Sequence, residues 1–153
     1  MTNSSKNGRD TEYAPVLLAL APLLHNLPPK LIAIDGRPGS GKTTLGRFLA
    51  WWFNVSLIET DLFLFEGEGR YRYRTDEIKR IIDARQGRDR PAIIEGVTVL
   101  RQIASMQFTA DFVIYVDNAS APTLRPEYEK QFREYETDFS PRRRADFTLT
   151  LDH

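Results

Sequence analysis

The fold of this chain is decided by residues 36–43, which read Gly36-Arg37-Pro38-Gly39-Ser40-Gly41-Lys42-Thr43. The stretch matches the pattern G-x-x-x-x-G-K-[ST] completely. A continuous apolar run at residues 31–34 precedes it and is typical of a strand that is buried on both faces. After it, apolar side chains recur at helical spacing over residues 42–53. The sequence therefore predicts a buried strand, a glycine-rich loop and an amphipathic helix in succession.

A loop of this kind binds the phosphates of a nucleotide. Small residues let backbone N–H groups turn inward around phosphate oxygens, and the N-terminus of the following helix adds a partial positive charge. Lys42 would reach the β- and γ-phosphates, and the hydroxyl of Thr43 would hold Mg²⁺. The alternative is a glycine turn that only links a strand to a helix, and we reject it because motif and context agree. We expect the nucleotide to be contacted by Gly36, Arg37, Pro38, Gly39, Ser40, Gly41, Lys42, Thr43 and Thr44.

The rest of the chain alternates short apolar strands with helices. We predict strands over residues 55–58, 92–94, 112–116 and 147–151, and helices over residues 11–27, 75–86, 99–104 and 123–137. Pro15 would lie in the first turn of its helix, Pro22 would bend that helix or end it early, and Thr75 would cap the helix that begins there. Residues 66–74 are predicted to be a loop, and residues 1–10 a flexible N-terminus. This pattern predicts an α/β fold, a three-layer sandwich with a central parallel sheet of about five strands, as a single domain over residues 11–153.

The composition argues against several classes of protein. The 153 residues include 21 basic and 21 acidic side chains, so the net charge is zero and a broad basic surface for nucleic acid is not expected. There are no cysteines, which excludes disulfides, thiolate metal sites and cysteine nucleophiles. The apolar stretch at residues 16–24 is interrupted by Pro22 and is too short to span a bilayer. We expect a soluble, cytoplasmic protein that binds neither nucleic acid nor membranes, and the sequence does not set its oligomeric state.

Acidic residues end four of the predicted strands: Asp35, Asp61, Glu95 and Asp117. Because open parallel sheets bind ligands at the carboxyl ends of their strands, we expect these side chains to cluster at that edge. Asp61 could be a general base or only a helix N-cap, and we favour the base. Glu95 could be a functional or a structural carboxylate, and we favour the functional role. Asp35 could brace the loop by accepting backbone hydrogen bonds, and for Asp117 we favour a cap on the following turn.

Four segments resemble, in the same order, motifs of the uridine kinase and phosphoribulokinase family. They are residues 34–44 (Ile-Asp-Gly-Arg-Pro-Gly-Ser-Gly-Lys-Thr-Thr), 58–63 (Ile-Glu-Thr-Asp-Leu-Phe), 92–96 (Ala-Ile-Ile-Glu-Gly) and 139–146 (Phe-Ser-Pro-Arg-Arg-Arg-Ala-Asp). The Asn-Lys-x-Asp segment with which GTPases read guanine is missing. The resemblance implies an ATP- and Mg²⁺-dependent kinase that phosphorylates a hydroxyl of a small molecule, for example a nucleoside. It also implies that Asp61 takes the proton from that hydroxyl, that Glu95 helps to place Mg²⁺, and that residues 141–144 lie beside the adenine.

The segments between these motifs depart from the family. Family members carry a longer substrate-binding section between the Asp and Glu motifs, and an arginine-rich lid where this chain has Thr123-Leu124-Arg125-Pro126-Glu127-Tyr128. Arg125 and Arg133 are candidate lid cations, and we expect Arg125 and Arg142 to contact the nucleotide. Residues 70–74 (Arg-Tyr-Arg-Tyr-Arg) could grip an anionic or aromatic substrate, or could be an edge strand or solvated loop. Two other functions stay open: a non-catalytic or regulatory ATP-binding module, and an ATPase switch with a protein partner.

Overall fold

Five strands form one parallel sheet, as the sequence predicts. The computed structural model describes residues 4–153, without the side chains of residues 4–7, 9 and 10. The strands are β1 (Leu31–Gly36), β2 (Ser56–Glu59), β3 (Ala92–Glu95), β4 (Phe112–Asn118) and β5 (Phe147–Leu151). The α-helices are α1 (Ser4–Leu24), α2 (Lys42–Phe53), α3 (Thr75–Gly87), α4 (Val99–Ser105), α5 (Pro126–Phe139) and α6 (Pro141–Arg144), and a 3₁₀ helix spans Thr60–Phe63. The strand order is β2-β3-β1-β4-β5, and every neighbouring pair is parallel.

Helices cover both faces of the sheet and enclose two hydrophobic cores. Successive residues of β1 point to opposite faces, as in any strand. Leu31 packs into the core beneath α3, α4 and α5, whereas its neighbour Ile32 packs into the core beneath α1 and α2. Helix α1 contributes four buried side chains to this second core: Tyr13, Val16, Leu20 and Leu24. The architecture is therefore the predicted three-layer sandwich, and α1 is one of the helices that cover the sheet.

The strand order places β1 at the centre, between β3 and β4. In an open parallel sheet, ligands bind in the crevice outside the carboxyl ends of the strands, where connections leave to opposite sides. The register brings those ends together, because Glu95 at the end of β3 lies opposite both Ile34 of β1 and Glu59 of β2. The segments that follow β1, β2 and β3 therefore start side by side.

The structure corrects the predicted start of the first helix. Helix α1 begins at Ser4, so Pro15 lies inside it and not in its first turn, and Pro22 neither ends nor interrupts it before Leu24. An internal proline removes one backbone hydrogen bond of the helix. Packing of the buried side chains of α1 against the sheet opposes that cost. Of the predicted flexible N-terminus, residues 1–3 lie outside the described residues, and its flexibility stays a prediction.

Other boundaries differ by a few residues. Thr75 is the first residue of α3 and Arg74 its N-cap, with no side-chain cap, so the prediction of a capping threonine was wrong. Helix α5 begins at Pro126, because proline suits the first helical position. The short helices Thr60–Phe63 and Pro141–Arg144 were not predicted. Among the described helices, none is long and apolar enough to cross a membrane.

Gly96, directly after β3, packs against Thr60 without room for a side chain. A methyl group on Gly96 would lie 1.7 Å from Oγ1 of Thr60, which is itself fully buried. The Gly96→Ala substitution should therefore lower the free energy of unfolding by about 1–3 kcal/mol, the usual cost of overpacking. Urea denaturation measures this difference. Gly87→Ala is the matched control, because nothing lies within 4 Å of its added methyl group. Equal stabilities for the two variants would contradict the close packing.

Candidate active site

The glycine-rich loop lies between β1 and α2, at the carboxyl edge of the sheet. Its last glycine, Gly41, is the N-cap of α2 and has a φ angle of 103°, which residues with a side chain rarely adopt. Lys42 is 6% exposed, and its Nζ donates a hydrogen bond of 2.7 Å to the carbonyl oxygen of Arg37. Burial lowers the pKa of Lys42, and the nearby carboxylates, led by Glu95, oppose that shift. The loop therefore holds a largely desolvated lysine against its own backbone.

Thr43 and Glu95, the two predicted metal-binding residues, lie next to each other. The hydroxyl of Thr43 donates a hydrogen bond of 2.9 Å to Oε1 of Glu95. Burial raises the pKa of Glu95, whereas the bond from Thr43 and the charge of Lys42 lower it. No cluster of three or more His, Cys, Asp or Glu side chains within the described residues could hold a metal by itself. Two oxygen atoms from the protein fit Mg²⁺, which keeps several waters and binds substrate phosphates in most enzymes.

Asp61 lies in the 3₁₀ helix Thr60–Phe63, just after β2. Its side chain is exposed, and its carboxylate forms no hydrogen bond or ion pair with the residues that the structure describes. Glu59 is the N-cap of this helix, and no side chain caps it. Asp61 is therefore not an N-cap, and its carboxylate is free to meet a ligand.

Asp61 and the loop share one cavity of about 600 Å³. Its lining consists of Pro38, Gly39, Gly41, Lys42, Thr43, Thr44, Asp61, Leu64, Glu66, Tyr71, Glu95 and Val97. The three predicted catalytic residues, Lys42, Asp61 and Glu95, thus meet in one place, whereas Gly36, Arg37 and Ser40 do not line it. A larger groove of about 760 Å³ runs along α5, but no loop residue lines it. We place the candidate site in the smaller cavity, because it joins the phosphate-binding loop to an unpaired carboxylate.

Asp35 braces the loop by accepting a backbone hydrogen bond, as the sequence suggested. Its Oδ1 accepts a hydrogen bond of 2.8 Å from the N–H of Gly36, and its Oδ2 accepts one from the hydroxyl of Tyr135 on α5. Tyr135 in turn accepts a hydrogen bond of 3.2 Å from the N–H of Leu100. Asp35 is fully buried and does not line the cavity. The sequence alone did not indicate the bond between Tyr135 and Asp35.

Asp117 does not cap the turn after β4, so that prediction was wrong. Its carboxylate accepts two hydrogen bonds from the guanidinium group of Arg142, at 3.0 and 3.2 Å. The turn is instead capped by Asn118, whose Oδ1 accepts a hydrogen bond from the N–H of Ser120. The amide of Asn118 also donates a hydrogen bond of 3.0 Å to the carbonyl oxygen of Ser40. At a strand end the sequence alone could not decide which of two adjacent polar side chains faces the turn.

The arginines suggested as nucleotide or lid contacts lie outside the lining of the cavity. Arg142, besides its pair with Asp117, lies over the ring of Tyr115 at 4.9 Å. Arg125 is the exposed N-cap of α5. Arg133 is also exposed, pairs with the preceding turn of α5, and lines the groove along that helix. Their contacts with a nucleotide stay predictions.

Arg37 ties the loop to α5, a link that sequence reasoning missed. Its guanidinium group pairs with Glu129, lies 3.7 Å from a carboxylate oxygen of Glu136, and covers the ring of Phe132 at 5.0 Å. These three residues share one face of α5, because side chains three and four positions apart are neighbours on a helix. The acid-aromatic-acid spacing is visible in the sequence, but it does not identify the arginine that meets it.

Residues 70–74 belong to a short hairpin, in which Tyr73 pairs with Leu64 in an antiparallel bridge. Its side chains point in different directions. Tyr71 lines the cavity, whereas Arg72 forms an ion pair of 2.7 Å with Glu68 within the hairpin. The place of Tyr71 in the same lining as Asp61 agrees with contact between this tyrosine and a substrate, whereas Arg72 is paired with Glu68.

Comparisons with known proteins agree with this architecture. No protein-family model matches the chain. Over 110 residues it is 31% identical to a shikimate kinase from Rhodococcus erythropolis, and the match spans 63% of this chain and 63% of that relative. Its structure is similar to that of a possible uridine kinase from Bacillus stearothermophilus, with a TM-score of 0.63, 17% identity, and coverage of 94% of this chain and 99% of that one. It is also similar to a shikimate kinase from Acinetobacter baumannii in complex with shikimate, with a TM-score of 0.51, 17% identity, and coverage of 87% and 88%. The chain thus has the fold of the P-loop small-molecule kinases.

Asp35 makes the stability of the protein depend on pH. Burial raises the pKa of Asp35 from 3.8 to about 6, against the opposing effect of its hydrogen bonds from Tyr135 and Gly36. The folded protein therefore binds a proton on Asp35 more tightly than the unfolded chain does. As a result, the contribution of Asp35 to the free energy of unfolding falls as pH rises from about 4 to about 6. Relative to the unmodified protein, the Asp35→Asn variant should gain about 2–3 kcal/mol in the free energy of unfolding between pH 4 and pH 7.

Urea denaturation across this pH range measures the change. The exposed Asp76→Asn substitution on α3 is the control, and its stability should follow that of the unmodified protein. A constant stability difference between Asp35→Asn and the unmodified protein at every pH would contradict the raised pKa.

Proposed function

We propose that this protein is an ATP-dependent kinase that transfers the γ-phosphate of ATP to a hydroxyl of a small molecule. The observation that carries the proposal is the shared cavity, in which the unpaired carboxylate of Asp61 faces the same space as Lys42 and the Thr43–Glu95 pair. Phosphoryl transfer needs positioning and electrostatic stabilisation more than covalent catalysis. The cavity offers residues suited to both tasks.

The phosphate end of the cavity would be served by the loop. Lys42 would exchange its hydrogen bond to the carbonyl oxygen of Arg37 for hydrogen bonds to phosphate oxygens. Because this lysine is already buried, most of its desolvation cost is met before the nucleotide binds. Thr43 and Glu95 would hold Mg²⁺, which would offset negative charge on the phosphates. The backbone N–H groups of the loop would bind the remaining oxygens.

Asp61 would act on the acceptor. A hydroxyl within hydrogen-bond reach of its carboxylate would give up its proton to Asp61 while the hydroxyl oxygen forms a bond to the γ-phosphorus. The bond between that phosphorus and the bridging oxygen breaks, and ADP leaves with the electron pair. Asp61 suits this role, because it lines the cavity and no described side chain competes for its carboxylate.

The similar proteins support the reaction class and leave the acceptor open. They are a shikimate kinase, a possible uridine kinase and a further shikimate kinase, so their names specify chemically different acceptors. We therefore propose ATP and a hydroxyl-bearing small molecule as the partners, with a nucleoside among the acceptors to test. The absence of cysteine also suits the reducing cytoplasm, which we propose as the location.

A nucleotide-binding module without catalysis is the second candidate. One observation favours it: among the side chains that the structure describes, Lys42 is the only basic one in the lining of the cavity, and no arginine lies there. Arginine residues commonly stabilise the transition state of phosphoryl transfer, so their absence from the lining would suit a protein that only binds ATP. Tight binding of Mg·ATP without ADP formation on any acceptor would support this alternative.

The test of the kinase proposal is Mg²⁺-dependent ADP formation across a panel of nucleosides, sugars, vitamins and hydroxy acids. With an active acceptor, Lys42→Ala should lower kcat/KM at least about 100-fold, because a charge-stabilising contact is lost. Asp61→Asn should lower kcat by about 10²–10⁴, the usual contribution of a general base. Asp76→Asn serves as the matched control for the second substitution. Turnover by Asp61→Asn near the unmodified level would contradict the assignment of the base.

The metal-binding role of Glu95 can be tested separately. Glu95→Gln removes a carboxylate that lies beside Thr43, so the Mg²⁺ concentration needed for half-maximal activity should rise at least about fivefold. Titration of Mg²⁺ at saturating ATP measures it. Glu59→Gln is the matched control, because Glu59 lies opposite Glu95 in the sheet but pairs with Arg47 outside the cavity. An equal Mg²⁺ requirement in both variants would contradict the role of Glu95.

A further inference from the structure

The cavity has two chemically different ends. Lys42, Thr43 and Glu95 form the phosphate end, and the remaining wall is formed mainly by Asp61, Leu64, Glu66, Tyr71 and Val97. We propose that this second wall, the acceptor wall, selects an uncharged ring compound with several hydroxyl groups and discriminates against hydroxy acids. This inference rests on the proposed kinase function and specifies the class of its substrate.

Negative charge dominates the acceptor wall. Asp61 and Glu66 are both exposed, and neither carboxylate forms a hydrogen bond or ion pair with the described residues. Lys42, the one basic residue of the lining within the described part of the chain, belongs to the phosphate loop. A carboxylate on the acceptor would therefore meet two like charges and no cation of its own, whereas hydroxyl groups could donate hydrogen bonds to both.

The arginines nearest this wall are engaged elsewhere. Arg70 and Arg72 pair with Glu68 at 3.3 and 2.7 Å, and Arg72 also covers the ring of Phe65 at 3.9 Å. Arg74 covers the same ring from 4.8 Å. All three arginines thus contact the hairpin itself, and none of them lines the cavity.

Arg74 also borders an adjoining cavity of about 440 Å³. Three carboxylates border the same space: Asp61, Glu66 and Glu68. Glu68 is already paired with Arg70 and Arg72, so an acceptor that extends into this space would meet two carboxylates without an ion pair among the described residues, Asp61 and Glu66, and one arginine. The charge preference therefore holds for both cavities on this side of the loop.

Tyr71 gives the acceptor wall a fixed aromatic surface. Its ring packs against that of Tyr128 with centroids 5.0 Å apart, and its N–H donates a hydrogen bond of 3.0 Å to Oε1 of Gln131. Gln131 in turn donates a hydrogen bond of 2.9 Å to the carbonyl oxygen of Gly69. Tyr128 and Gln131 of α5 thus hold the hairpin at Gly69 and Tyr71.

An apolar surface lies on the same wall. Val97 is buried, and its carbonyl oxygen accepts a hydrogen bond of 3.2 Å from the hydroxyl of Tyr73. Together with Leu64 and the ring of Tyr71, it offers a surface suited to the face of a ring. Hydroxyl groups at the edge of that ring would then point to Asp61 and Glu66. This combination of two acceptor carboxylates and an aromatic face is the basis of the proposed selectivity.

Equilibrium binding of matched pairs tests the inference without relying on turnover. Isothermal titration calorimetry in the presence of Mg·ADP would compare methyl shikimate with shikimate, glucuronamide with glucuronate, and uridine with orotidine, which carries an added carboxylate on its base. We expect at least one neutral member to bind, with a Kd at least about tenfold lower than that of its acidic partner. Equal or tighter binding of the acids, or no binding by any neutral member, would overturn the inference.

Substitutions in the acceptor wall test which residues produce the preference for neutral over acidic compounds. Glu66→Gln should reduce the acid-to-neutral Kd ratio at least about threefold, whereas Glu134→Gln, on α5 and outside the cavity, should not change it. Tyr71→Phe should keep the binding of the neutral compound and Tyr71→Leu should weaken it at least about fivefold, which separates the role of the ring from that of the hydroxyl group. An unchanged ratio in Glu66→Gln would overturn the role of that carboxylate.

The same compounds separate the two proposals. If a neutral compound binds but no ADP forms with it in the presence of Mg·ATP, the kinase proposal fails and the inference about the acceptor wall stands. If hydroxy acids are phosphorylated as efficiently as their neutral partners, the kinase proposal stands and the inference fails.

Discussion

The buried carboxylate of Asp35 fixes the point at which the central strand becomes the phosphate-binding loop. It accepts hydrogen bonds from the N–H of Gly36 and the hydroxyl of Tyr135, so it links the start of the loop directly to α5. A buried charge is costly unless it is hydrogen-bonded, and its raised pKa records that cost. The loop geometry therefore depends on an interaction that never touches the cavity.

Helix α5 connects the two ends of the candidate site. Tyr135 forms a hydrogen bond with Asp35, and Glu129 and Glu136 pair with Arg37 of the loop. Through Gln131 the same helix holds the hairpin that carries Tyr71. Because one rigid element contacts both the phosphate loop and the acceptor wall, a displacement of α5 would change the distance between the nucleotide and the acceptor.

The fold and the centre of the site were predictable because their signals are local. The loop motif, the apolar run before it and the helical spacing after it all occur within residues 31–53, and the bounds of α2 agree with the prediction. Asp61 and Glu95 followed from the rule that ligands bind at the carboxyl ends of parallel strands. What the sequence could not indicate are pairings between distant segments, such as Asp117 with Arg142 or Arg37 with Glu129, since many arginines and acids could pair in this chain.

The engagement of Arg37 by α5 has a consequence for charge balance at the phosphate end. A lysine is a compact charge on a flexible stem, whereas arginine grips two phosphate oxygens at once. With Arg37 held by Glu129 and Glu136, Lys42 is the basic side chain that lines the cavity. Stabilisation of the triphosphate would then fall mainly to backbone N–H groups, a metal ion beside Thr43 and Glu95, and Lys42. Such a site depends strongly on loop geometry, and the contacts of Asp35 with Gly36 and of Arg37 with α5 hold the first residues of the loop in place.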